Sequence, residues 1–223
     1  MDPLRDIELI SLELCLADIA QIDRRWPKAK KKGANSAEVC ALEKLRAVLD
    51  GGIAARQCDL TEEEVEGVRQ LQLLTRKPVI YAVNVSEGDF SEHGGANNDM
   101  VAAVRHVAEG EGAGVVVVSA QIEAELVALD AEERESFLAD LGLQQDDVGL
   151  RQLVREAYGL LRLQTYFTTG EQETRAWCIP QGATAPQAAA VIHTDFNKGF
   201  IRADTIYWEL LMSASTELHV PFR

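Results

Sequence analysis

Residues 77–87 read Lys-Pro-Val-Ile-Tyr-Ala-Val-Asn-Val-Ser-Glu, an apolar, β-branched run that stops abruptly in a polar loop. No other feature of the chain constrains its fold as strongly. A short apolar run closed by polar residues is the pattern of a strand buried in a parallel sheet. The spacing predicts a strand over 79–83. A second run, Val115 to Val118, ends in the turn Ser119-Ala120. Between the two, a polar, Gly-rich loop over 84–98 and a helix over 99–109 are expected. Parallel neighbours require such a crossover, and both strands then deliver their loops to one sheet edge. Ligands of open α/β sheets bind outside that edge. The expected fold class is therefore α/β.

The remaining periodicities add helices in front and a hairpin behind. A helix is predicted over 4–26, with Ile7, Ile10, Leu14 and Ala17 on one stripe, widened by Leu9, Leu12, Leu16 and Ile19. Pro27 and Gly33 are expected to break it. A second helix over 36–49 places Ala41, Leu42, Leu45, Val48 and Leu49 inward and ends at Gly51-Gly52. Two amphipathic helices joined by a polar turn predict an antiparallel helical hairpin. Thr61 with Glu64 forms a capping box opening a helix that runs to about residue 74. Helices are also expected over 123–129, 131–141 (capped by Asp130) and 148–161. From residue 165 the period changes. Strands over 165–168 and 174–179, parted by Gly170-Glu171, predict a hairpin. Thr184 caps a helix over 185–193 with Pro186 in its first turn. A third strand is expected over 200–203. Strand, strand, helix, strand is the opening of a ubiquitin-like β-grasp.

Composition narrows the function classes. The formal net charge is -14. An acidic chain is a poor general nucleic-acid binder, so any RNA contact needs a local basic patch. One exists: Lys28, Lys30, Lys31 and Lys32 lie between the two predicted front helices. They fit either a nucleic-acid contact or a solvated loop. No apolar run approaches the ~20 residues of a membrane span, and the start lacks the basic-then-apolar pattern of a signal peptide. The four cysteines, Cys15, Cys40, Cys58 and Cys178, have no zinc spacing. Cys15 and Cys178 are expected to be core thiols, in a reducing cytoplasm.

Asn84 and Glu87 are spaced like the base-reading NKxD motif of nucleotide-binding switch proteins, with Val85 in place of Lys and Glu in place of Asp. Asp2 to Glu8, Leu73 to Pro78, Asn84 to Glu87, Ser119 to Leu126 and Phe137 to Leu143 occur in order. Arg175-Ala176-Trp177, Ala185 to Ala189, Ile192 to Phe196 and Lys198 to Ala203 follow. Together these motifs resemble the YchF/Obg-like ATPase family, from Asp2 to about Thr205. The resemblance implies a helical coiled-coil hairpin insertion over 1–75 and the C-terminal part of a P-loop NTPase-type sheet over 76–160. It implies an incomplete β-grasp, or TGS, domain over 161–206, followed by a divergent tail over 207–223. It also implies a preference for ATP over GTP, and ribosome or RNA association through the lysine tip or the TGS region. The base-binding residues would be Asn84, Val85, Ser86, Glu87, Ser119 and Ala120. Asn84 would hold the loop, the Val85 main chain would meet the base, and Ser119-Ala120 would close the other side. Glu87 reaches one methylene further than Asp, and Val85 offers apolar surface in place of an ammonium. The competing reading is a plain strand-to-helix loop, with Asn84 in a turn and Glu87 solvated.

Two departures from the family pattern carry consequences. The sequence contains no GxxxxGK[ST], the loop that cradles phosphates and places a hydroxyl on magnesium. Magnesium would be bound only in a full-length relative, and this polypeptide alone is expected not to hydrolyse ATP. After about Thr205 the family's last strands have no counterpart. A truncated or mis-spliced product, a fragmentary gene sequence, or a tail that supplies a substitute strand would each explain that. Two other features invite simple structural readings. His193 and Asp195 are expected to be a helix-end histidine and a turn carboxylate, not a catalytic pair. Trp177 and Phe196 are expected in the β-grasp core. Two functions follow: a nucleotide-binding protein of the YchF type, or a non-catalytic interaction module with a vestigial base loop.

Overall fold

The structure, a computed structural model, describes residues 2–33, 36–91, 95, 98–144, 146, 148–170 and 172–213, the side chains of Lys32 and Ser91 excepted. Parts of the expected 84–98 loop, Glu171 of the hairpin turn and the tail beyond 213 lie outside the described residues. The chain forms two compact units, Met1–Ala157 and Tyr158–Arg223.

The first unit opens with α1, Pro3–Lys32, capped by Asp2 and carrying proline at its first position. Pro27 does not end it. A proline inside a helix costs about 3 kcal/mol. Ala29, fully buried beyond it, and Trp26 beside it pack into the core, and this packing offsets the cost. The buried line is Cys15, Asp18, Ile22 and Ala29. The predicted stripe is largely exposed, including Leu9, Ile10, Leu12, Leu14 and Leu16. Asp18 concealed the true face, because a carboxylate on the buried line breaks its apolar pattern. α2, Ala37–Asp50, is capped by Ser36 and buries Val39, Ala41, Leu42, Leu45 and Leu49. Arg25 pairs with Glu38 at 2.5 Å, and Arg46 pairs with Asp23. Partners further along α2 lie further back along α1, so the two helices run antiparallel.

α3, Glu62–Val68, carries the predicted capping box, with both Thr61 and Glu64 bonds made. It stops six residues earlier than expected. At Arg69 the chain tightens into a 3₁₀ turn, Arg69–Leu71, which Gln72 closes in a left-handed conformation with φ 51° before a second 3₁₀ turn, Leu74–Arg76. Lys44 lies 2.8–2.9 Å from the Glu64 carboxylate. That bond, followed by the one from the Thr61 amide, holds Glu64 below the usual carboxylate range. An acid with a depressed folded pKa stabilises the fold above its unfolded pKa, and the contribution is lost as pH falls through the folded value. Acid titration followed by circular dichroism is therefore expected to show a loss of stability that begins below about pH 5. Glu64→Gln, which keeps the cap but not the charge, should flatten that dependence.

The sheet of this unit is β1, Ile80–Asn84, paired in parallel with β2, Gly114–Val118; Ile80 lies opposite Gly114 and Asn84 opposite Val118. Between them come α4, Glu87–Ser91, and α5, Asp99–Glu111. The expectation of a parallel crossover is met. β1 is only half-buried, because Ala82 and Asn84 face outward. The loop after it is not featureless: α4 drives Phe90 into a second core with Val101, Val117, Ile122, Leu126, Leu138 and Val148. α6, Ala120–Ala128, α7, Ala131–Asp140, and α8, Gly149–Leu160, follow. Asp130 caps α7, as expected, and completes a capping box with Glu133.

The second unit holds β3, Leu163–Thr169, antiparallel to β4, Thr174–Pro180. α9, Ala185–Ile192, packs beside them, with the Tyr166 hydroxyl donating to Ala188 O at 3.0 Å. Two short helices follow, α10, Asp195–Lys198, and α11, Trp208–Ser213. Residues 200–203 do not form the expected strand. No described strand runs beside them, and Ile201 is 92% exposed. Cys178 is exposed rather than a core thiol, since it alternates onto the face of β4 opposite Ile179. Phe196 is also half exposed, edge-on to His193. Trp177 is part-buried, with Arg175 stacked 4.4 Å from its ring. His193 ends α9 and accepts from the Asp195 amide at 3.3 Å, the predicted turn role.

Candidate functional site

The loops leaving β1 and β2 meet on one rim. Parallel register sets Asn84 beside Val118, so the next residues of both strands emerge together. Val85 N donates to Val118 O at 2.9 Å, which extends the ladder by one bond. Asn84 Oδ1 accepts from Ala120 N at 3.0 Å and clamps the first loop to the start of α6. One step further out, Gln121 Nε2 donates to Glu87 Oε2 at 3.1 Å. Ser86 caps α4 by accepting from Asp89 N at 3.3 Å, while its hydroxyl donates to Asp89 Oδ2 at 2.7 Å.

All six residues expected at the site are thus brought to the same rim, with changes of detail. The Val85 amide is already engaged, so a base could use only its carbonyl and side chain. Glu87 is partly exposed and accepts from Gln121. Gln121, which follows the expected Ser119-Ala120 pair, also lies on this rim through its bond to Glu87, and no motif in the sequence singles it out. Ser119 is 1% exposed, and its hydroxyl has no hydrogen-bond partner among the described residues. Such an orphan is uncommon in a folded interior. It lies at the base of the rim, between the strand that ends at Val118 and the clamped Ala120. Below it, Gly149 packs against Val118, and Glu123 Oε1 accepts from Leu150 N at 2.7 Å. α8 is thereby tied to the same corner.

Among the described residues no group of three or more His, Cys, Asp or Glu is placed to hold a metal ion. The rim's donor set among these residues does not fit magnesium. An open cleft of about 390 Å³, lined by Val65, Val68, Arg69, Leu73, Arg76 and Pro78, lies where the chain enters β1, away from the rim. No helix among the described residues is long and apolar enough to cross a membrane.

A parallel crossover that brings two strand-end loops to one rim, preceded by an antiparallel helical pair, defines a mixed α/β protein. The comparisons narrow the class. A family profile described as YchF-GTPase_C, a protein of unknown function, matches residues 163–220. The chain is 44% identical over 218 residues to a protein of Bacillus subtilis (strain 168) called ribosome-binding ATPase YchF. The match covers 96% of this chain and 58% of that protein. Its counterpart in Escherichia coli O157:H7, of the same name, is 46% identical over 214 residues, covering 94% and 57%. The solved structure of the Schizosaccharomyces pombe YchF GTPase superposes with a TM-score of 0.79 at 32% identity, covering 97% of this chain and 59% of that one. The chain belongs to the YchF family, and it spans less than three-fifths of these relatives' length.

Proposed function

We propose that this chain carries the base-reading part of a YchF-type nucleotide-binding protein that prefers ATP to GTP. The observation that carries the reading is the Asn84–Ala120 clamp, which holds both strand-end loops on one rim. On this reading β1 and β2 belong to a P-loop-type sheet, α1 and α2 are its coiled-coil insertion, and β3, β4 and α9 begin a TGS domain. Adenine meets the Val85 carbonyl and side chain, and the Ser119 hydroxyl turns to it once the rim opens. The ribosome binding in the relatives' names extends to this chain as part of the proposal, and with it a cytoplasmic location; the ATPase activity in those names does not. The tip lysines Lys28, Lys30 and Lys31 supply the phosphate contacts.

The test is titration of the 223-residue polypeptide, followed by NMR. Adenosine and ATP are expected to shift the amides of 84–87 and 119–121 with similar, millimolar affinities. No phosphate loop is present in the sequence to favour the triphosphate. Guanosine should act more weakly. Rim amides that do not move at millimolar adenosine would overturn the reading. The same polypeptide should show no magnesium-dependent ATP turnover, because positioning and charge stabilisation by the phosphate loop supply most of that catalysis.

A second reading has its own support. The rim already satisfies the Val85 amide, Asn84 Oδ1 and the Gln121 amide within the protein. A loop so engaged suits an interaction module in which the helical pair and the β3–β4 hairpin bind a partner without nucleotide.

A further inference from the structure

Asp18 is 0% exposed, yet it is a carboxylate in the middle of a helix. Its Oδ1 accepts from Leu74 N at 2.8 Å. Its Oδ2 accepts from Thr75 N at 2.8 Å and from Thr75 Oγ1 at 2.7 Å. Thr75 Oγ1 in turn accepts from Ala55 N at 3.0 Å. A buried carboxylate is costly unless its oxygens are satisfied, and charge-assisted bonds of this length are the strong kind. No neutral side chain of this size accepts three donors from two consecutive residues. The bonds continue outward. Arg56 donates to Thr75 O at 3.4 Å and pairs with Glu111, whose Oε2 also accepts from the Tyr81 hydroxyl at 3.0 Å. Glu111 is the last residue of α5, and Tyr81 is the second residue of β1.

One connected set of bonds therefore joins the middle of α1 to both sides of the crossover. The 74–76 turn held by Asp18 lies four residues before β1, and three residues after Tyr81 comes Asn84, the clamp of the rim. We propose that Asp18 and Thr75 are positioning residues for the rim. They fix where the chain enters β1, Arg56 and Glu111 hold β1 in register against α5, and the Asn84–Ala120 clamp depends on both. Neither residue touches the rim. The structural claim stands on these bonds, and only its nucleotide arm rests on the proposed function.

The experiment is residue-resolved hydrogen exchange on Asp18→Asn in the 223-residue chain. Amides of Ala55, Leu74 and Thr75 should exchange faster. With them, those of Val85 and Ala120 should accelerate at least tenfold, while amides of α2 around Leu42 and Leu45 stay unchanged. Acceleration confined to 55, 74 and 75 would overturn the proposal, since Asp18 would then be a local latch. Acceleration spread equally over α2 would also overturn it, as plain destabilisation. Thr75→Val, which removes only the hydroxyl, provides the same comparison if Asp18→Asn does not fold. In the nucleotide arm, adenosine affinity should fall at least tenfold in Asp18→Asn. If the unaltered chain binds no adenosine, the base-site reading fails, while the exchange pattern still decides the role of Asp18.

Discussion

Replacing Gly149 with alanine is expected to destabilise the first unit by about 3 kcal/mol, read as a lower urea midpoint. A Cβ at this position would stand 2.8 Å from Val118 Cα and Cγ1 and 2.9 Å from Val117 O. Two of these atoms are backbone, in the strand that ends at the rim, so no rotamer change relieves the clash. Either α8 moves away and loses the Leu150–Glu123 bond, or β2 bends and opens the clamp. Overpacking of this kind costs ~1–3 kcal/mol, and rigid neighbours put Gly149 at the upper end. Gly110 supplies the control. It lies inside α5, and a Cβ there meets nothing within 4 Å. Gly110→Ala should raise stability by about 0.5–1 kcal/mol through helix propensity alone. If both substitutions shift the midpoint in the same direction, the close packing of α8 on β2 is not what holds that corner.

Leu45→Ala should have an effect of the same order or larger, about 2–5 kcal/mol. Leu45 is 0% exposed at the centre of the core between α1 and α2. Truncation there removes the apolar area and leaves a cavity between two helices that are also pinned by Arg25–Glu38 and Arg46–Asp23. Those pins limit collapse, which is the condition for a large cavity cost. Leu12→Ala, on the exposed side of α1 at 49% exposure, should change stability by no more than about 0.5 kcal/mol. Thermal unfolding of the two variants side by side tests which face of α1 is inside.

That contrast also shows what was legible in the sequence. The crossover was, because β-branched runs ending in polar turns leave few alternatives to parallel strands. The rim followed from it, since parallel strands that end in register must release their loops together. The capping box at Thr61 and the helix starts at Asp130 and Thr184 were legible too, because they are local. What escaped was set by contacts distant in sequence. Asp18 is polar and buried only because residues 74 and 75 supply its donors, so a count of apolar spacing turned α1 to the wrong face. Phe90 looked like part of a loop until the core beneath it was assembled. Residues 200–203 have strand-forming side chains but no described neighbour to pair with, and propensity without a partner does not make a strand.

The geometry of α1 has a mechanical implication. From Asp18 to Lys32 the helix advances about 21 Å, at 1.5 Å per residue. A tilt of roughly 10° about the Asp18 pivot would therefore swing the lysine end by about 4 Å. Ile22, Trp26 and Ala29 pack against α2 along that same length, and Arg25–Glu38 ties the two helices, so such a tilt would have to carry α2 with it. The lysine end and the Thr75 turn are therefore parts of one stiff body, and a load on either is shared by both helices.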